Sequence, residues 1–208
     1  MEILVGLHGY DSSAKVAEEM LDEIDPTRSV RHVSPSGPIR LDGGMHAWFD
    51  PTSADAGSEP DASARLSTKP PAGSLPAAAH QISELIRAMS LDAGIETAEF
   101  SVIGWSQGAA AAMAALAVAD APAVGRLVIW GGFLVDSPGV AYQLAQLRST
   151  KVLVIHGADD DVVPSFFAQD LYNSLVDSGV DAEFRIVQSG HHRTPEADAI
   201  VRDWLELP

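Results

Sequence analysis

Phe100-Ser101-Val102-Ile103-Gly104-Trp105-Ser106-Gln107-Gly108, followed by the small residues Ala109 to Ala119, is the stretch that decides the fold. Residues 100–103 have the β-branched and aromatic character of a strand. Residues 109–119 are small helix formers, with Met113 and Leu116 one turn apart. Between the two runs lies a G-x-S-x-G turn, so Ser106 falls where a strand passes into a helix. The glycines admit a tight, strained backbone there. The hydroxyl is then exposed, and the N–H groups of the helix start point at any negative charge that develops beside it. Such a turn also occurs in proteins without a reactive serine. The remaining chain must therefore supply a base and a carboxylate to orient it.

Val152-Leu153-Val154-Ile155 is a continuous apolar run, suited to a strand buried on both faces of a parallel sheet, and Asp159, Asp160 and Asp161 follow it before Pro164. Functional groups in such sheets gather beyond the carboxyl ends of the strands, where an aspartate can hold an imidazole. Aspartates before a proline are also ordinary turn and helix-start chemistry. Three adjacent carboxylates repel, which leaves at most one of them buried against a histidine. Phe184-Arg185-Ile186-Val187 reads as a last strand. His191 and His192 come just after it, ahead of a helix from Pro195 to Leu205 with Ala197, Ile200, Val201 and Trp204 at core-facing spacing. Two adjacent histidines do not converge easily on one ion, and with no Cys and no H-x-x-x-H spacing no metal is expected.

The opening strand, Glu2 to Leu7, leads into His8-Gly9-Tyr10-Asp11-Ser12-Ser13. Gly9 allows the backbone to approach a substrate, so the N–H of Tyr10 can join that of Gln107 as a pair of oxyanion donors. The same residues also make a plain strand-to-helix turn capped by Ser12 or Ser13, and both descriptions can hold together. Serine, aspartate and histidine then occur in the chain order of the α/β-hydrolase triad.

Taken together these segments resemble the phospholipase/carboxylesterase branch of the serine α/β-hydrolases, whose relatives include acyl-protein thioesterases. Leu7-His8-Gly9 is similar to the family's oxyanion loop, and residues 104–108 to its G-F-S-Q-G turn. Gly132-Phe133-Leu134 is similar to its S-G-F-L segment, and residues 156–164 match H-G-x-x-D-x-x-V-P. The resemblance selects Asp160 among the three aspartates and His191 over His192. It implies that Ser106, Asp160 and His191 are catalytic. Ser36-Gly37-Pro38 and Gly43 to Asp50 resemble the G-P and W-F-D segments that help form the acyl site. Met45, Trp48 and Val162 are therefore candidates to line it, against the plainer reading of Met and Trp as core filling.

The chain departs from the family at Trp105, where Phe is usual, at Trp130-Gly131, and at Tyr10, which no glycine follows. The first two are expected to alter packing behind the turn and the third to alter the oxyanion loop. The implied architecture is an α/β-hydrolase fold with a mostly parallel central sheet, helices on both faces and reduced N-terminal strands, forming a single domain over residues 1–208. The implied activity is hydrolysis of carboxylic esters with short-to-medium acyl groups, thioesters and lysophospholipids included, through an acyl-enzyme and without a cofactor. A cofactor-free perhydrolase would use the same triad, and an inactive hydrolase-fold binding protein would keep the pocket alone.

Composition narrows the partners. A net charge of −16, from 29 acidic and 13 basic residues, repels nucleic-acid phosphates and anionic lipid surfaces. The expected partner is a small-molecule ester or thioester, with no nucleic acid and no stable membrane association. The exposed rim of an open sheet makes a homodimer an expectation as well. The absence of cysteine excludes disulfides and suits a cytoplasmic protein, and no signal-like segment opens the chain.

Further helices are marked by Val16, Met20, Leu21 and Ile24, by Ile82, Leu85, Ile86 and Met89, and by Phe167, Leu171 and Leu175. Further strands are expected at residues 30–33 and 127–130. Thr52 to Ser74 shows no period and reads as a long irregular loop, either a lid or a disordered excursion.

Overall fold

In the computed structural model, residues 2–50 and 73–208 are described. The strands are β1 (Ile3–Leu7), β2 (Arg31–Val33), β5 (Phe100–Trp105), β6 (Arg126–Trp130), β7 (Lys151–Gly157) and β8 (Ala182–Val187). They form one sheet in the order β2-β1-β5-β6-β7-β8, and every pairing is parallel. The apolar runs read from the sequence become β1, β5, β6 and β7, almost wholly buried because helices cover both faces.

On one face α1 (Ala14–Ile24) and α5 (Pro195–Leu205) pack over Leu4, Ile103, Val128, Leu153 and Ile155. On the other lie α2 (Ser74–Ala93), α3 (Gln107–Leu116) and α4 (Ser165–Asp177). Ser13 caps α1 by accepting from Val16 N, and Thr194 caps α5 by accepting from Ala197 N. Every residue of α3 is buried between the sheet and α2, which its small side chains permit.

Three expectations need correction. Burial in α1 falls on Ala17, Met20, Leu21 and Ile24, a regular i, i+3, i+4, i+7 stripe that leaves Val16 exposed by one position. The helix after Ser106 begins at Gln107 and stops at Leu116, because Ala117 O accepts from Gln143 N instead of continuing the helical ladder. Ser74, taken as the end of the irregular loop, is the first residue of α2. The choice between lid and excursion for residues 52–72 lies outside the described residues.

A second, antiparallel pair was not foreseen: β3 (Ile39–Arg40) with β4 (His46–Ala47), turning through Asp42–Gly44. A bridge between Ser12 and His46 ties it to the loop after β1. Strands of two residues carry no periodicity, so only the fold reveals them.

Candidate active site

Ser106 occupies the turn between β5 and α3 with φ 51° and ψ −116°, a sparsely populated conformation for a non-glycine residue, which costs on the order of 1–3 kcal/mol. Its neighbours hold it there. Ser106 N donates to Trp130 O at 2.8 Å, and Ser106 O accepts from Ala109 N at 3.0 Å. The flanking glycines are demanded by close approach. A Cβ on Gly104 would lie 2.4 Å from Ala109 Cα, and one on Gly108 would lie 2.4 Å from Leu7 O.

The loop between β8 and α5 brings His191 to this turn, with Nε2 2.9 Å from Ser106 Oγ. Its Nδ1 is 2.7 Å from Asp160 Oδ2, in the loop after β7. A carboxylate can only accept, so Nδ1 carries the ring proton and Nε2 is free to receive the serine's. Asp160 Oδ1 accepts from Val162 N at 3.0 Å and Val163 N at 2.7 Å. His156, fully buried, donates from Nε2 to Val163 O at 2.7 Å, with Asp160 Oδ2 3.3 Å away. Burial works to raise the Asp160 pKa. The bonds donated by His156, His191 and Val163 N–H outweigh it and hold the carboxyl well below its usual range. Asp159 instead accepts from Gln188 Nε2, Asp161 is exposed, and so is His192.

The two oxyanion candidates flank the serine. Gln107 opens α3, where a helix leaves its first N–H groups without intrahelical acceptors. Tyr10 lies just beyond β1, whose Leu7 pairs in register with Gly104 of β5, so the turn after β1 is carried to the side of Ser106. The Trp105 ring lies 5.2 Å from that of His191 and edge-on to Trp130 at 5.5 Å, so the departures at 105 and 130 form a wall beside the histidine.

The side chain of Gln107 does something the sequence did not suggest. Its Oε1 accepts from Trp48 N at 2.8 Å and its Nε2 donates to Phe49 O at 2.7 Å, fastening the segment after β4 to the start of α3. A glutamine buried beside this turn needs such partners, and its burial is visible only in the structure. Of the acyl-site candidates, Val162 is exposed and Met45 half-buried. Trp48 is fully buried, donates from Nε1 to His8 O at 2.8 Å and packs on the His8 ring. It braces the loop after β1 and has no exposed face. A cavity of about 450 Å³ between α2, the end of α3 and residues 139–143 is lined by none of Ser106, Asp160 and His191. Among the described residues no three His, Asp or Glu side chains cluster as a metal site requires, and no helix is long and apolar enough to cross a membrane.

A parallel sheet wrapped by helices, with a serine on the turn after its central strand, defines an α/β-hydrolase fold. The sequence matches the phospholipase/carboxylesterase family over residues 1–206, and the chain belongs to that family of ester-hydrolysing enzymes. A search of curated proteins finds no match. Among solved structures, a carboxylesterase from Mesorhizobium loti superposes with a TM-score of 0.80 at 22% identity, covering 100% of this chain and 89% of that one. Arabidopsis thaliana SOBER1 gives 0.75 at 22% identity, with 99% and 97% covered. Zea mays acyl-protein thioesterase 2 gives 0.70 at 23%, with 99% and 92% covered. At such identities the likeness speaks for the fold.

Proposed function

We propose that the chain is a serine hydrolase that cleaves carboxylic esters of short-to-medium acyl chains, thioesters included, through an acyl-enzyme formed on Ser106. The observation that carries this reading is the position of the His191 ring, bonded through Nε2 to Ser106 Oγ and through Nδ1 to Asp160. His191 takes the Ser106 proton as Oγ attacks the carbonyl carbon, and Asp160 fixes the tautomer and stabilises the imidazolium. The N–H groups of Tyr10 and Gln107 receive the oxyanion of the tetrahedral intermediate. His191 then passes the proton to the departing alkoxide or thiolate. Water activated by the same ring releases the acid and restores Ser106. Every proton moves among these side chains, substrate and water, so the cycle closes without a cofactor. Val162 and Met45 stand as contacts for the acyl group, and the cytoplasm is the setting this chemistry and the lack of cysteine suit.

Hydrolysis of p-nitrophenyl acetate and butyrate by wild type and by Ser106→Ala tests the reading. Loss of several orders of magnitude in the variant is expected, and equal rates would remove Ser106 from the chemistry. His191→Ala should behave like Ser106→Ala while His192→Ala stays close to wild type. Substrates from acetate to palmitate, as oxygen and sulfur esters, then set the acyl range.

A further inference from the structure

The buried imidazole of His8 has a partner at each nitrogen, and both belong to backbone. Nδ1 lies 2.7 Å from Gly9 O, and since a carbonyl only accepts, Nδ1 carries the proton. Nε2 accepts from Gly37 N at 3.0 Å, so it must be bare. Two bonds thus select one neutral tautomer. The ring packs against Trp48 at 5.1 Å. Gly37 O in turn accepts from His46 Nδ1 at 2.8 Å, and the His46 backbone pairs with Ser12 on the far side of the same loop. His46 is the titratable group that bears electrostatically on the His8 ring.

The bond to Gly9 O has a geometric consequence. Gly9 C=O and Tyr10 N–H belong to one trans peptide and point in opposite directions, so fixing the carbonyl fixes the N–H. Gly9 itself is held against the turn, since a Cβ there would lie 2.9 Å from Trp105 Cδ1 and 3.7 Å from Ser106 Cβ. We propose that His8 is a positioning residue for the oxyanion site: its Nδ1–H holds the Gly9-Tyr10 peptide so that Tyr10 N–H faces the ground beside Ser106. This rests on Tyr10 N–H being an oxyanion donor, as set out above. The segment 36–49 is then a brace for the reaction, joined to His8 by Gly37 N and Trp48 Nε1 and to α3 by the Gln107 side chain.

The test compares two polar replacements that separate the two ends of the ring. His8→Asn puts an amide near the place of Nδ1, and His8→Gln puts one near the place of Nε2. With p-nitrophenyl butyrate, His8→Asn should keep kcat within about tenfold of wild type, whereas His8→Gln should lose on the order of 10² in kcat with KM changed less than about threefold. Equal activity of the two variants, or a loss confined to KM, overturns the proposal. A histidine that only fills space would change thermal stability in both without splitting kcat from KM. The ¹⁵N spectrum of the wild-type ring tests the tautomer on which the proposal stands, whether or not the variants fold. A protonated Nδ1 and a bare Nε2 at pH 7 support the proposal, and the opposite tautomer or a cation overturns it. Wild type that turns over no ester, like Ser106→Ala, counts against the reaction itself and leaves the tautomer to judge His8.

Discussion

The indole of Trp105 and the imidazole of His191 lie 5.2 Å apart between ring centroids, tilted 39° to each other. In the proposed reaction the imidazole becomes a cation, and an aromatic face beside a cation stabilises it by about 0.5–2 kcal/mol, or up to roughly 30-fold in rate. Trp105→Ala should therefore lower kcat by up to that factor, and Trp105→Phe should retain most of it. Steady-state kinetics of both variants check this, and wild-type kcat in Trp105→Ala would show the ring to be inert packing.

Gly108→Ala places a methyl group 2.4 Å from Leu7 O and 2.5 Å from His8 O, both backbone atoms that cannot swing aside. Overpacking of this kind costs about 1–3 kcal/mol or more. A lower urea midpoint is the expected result. An unchanged one would mean that β1 and the start of α3 can separate freely.

Gln107→Ala leaves the N–H of Trp48 and the carbonyl of Phe49 without their buried partners, at about 1–3 kcal/mol each. The backbone N–H of residue 107 is untouched. Any fall in kcat beyond the loss of stability then measures how far the segment 48–49 has moved. Urea denaturation together with kinetics below the transition separates the two effects.

Acid should weaken the fold in two stages. Burial, the main cause, pushes the His8 pKa below its ordinary 6.5, so as pH falls through about 6.5 the unfolded chain takes up a proton that the folded chain refuses. Stability falls there, by at most about 1.4 kcal/mol per pH unit for one such group. Asp160, held below its ordinary 3.8, keeps its contribution until the pH drops under that value. Unfolding free energies measured from pH 8 to pH 5 should slope downward toward acid in wild type and less steeply in His8→Asn. Parallel curves would exclude His8 as the source.

The strands of the main sheet and the turn that carries Ser106 were legible because buried parallel strands write themselves as unbroken apolar runs, as at 152–155, and because glycines bracket Ser106. The choice of Asp160 over Asp159 was not a matter of composition. Only the resemblance singled out Asp160 beforehand, and the structure adds that the amides of Val162 and Val163 fold back to one of its carboxylate oxygens. His8, Gln107 and Trp48 were all noticed, yet the bonds that join Trp48 to the other two span 40 and 59 residues of chain, and no local pattern encodes such contacts. Trp48 was a candidate for the acyl site through the resemblance of its segment, with core filling as the plainer reading, and its full burial and its bond to His8 O fit the plainer one.

Helix α3 has no solvent-facing side, and its first residue follows Ser106 directly. Amides so enclosed exchange with solvent only when the whole molecule opens. The turn that carries the serine is thus anchored at one end to an element expected to rank among the slowest to exchange.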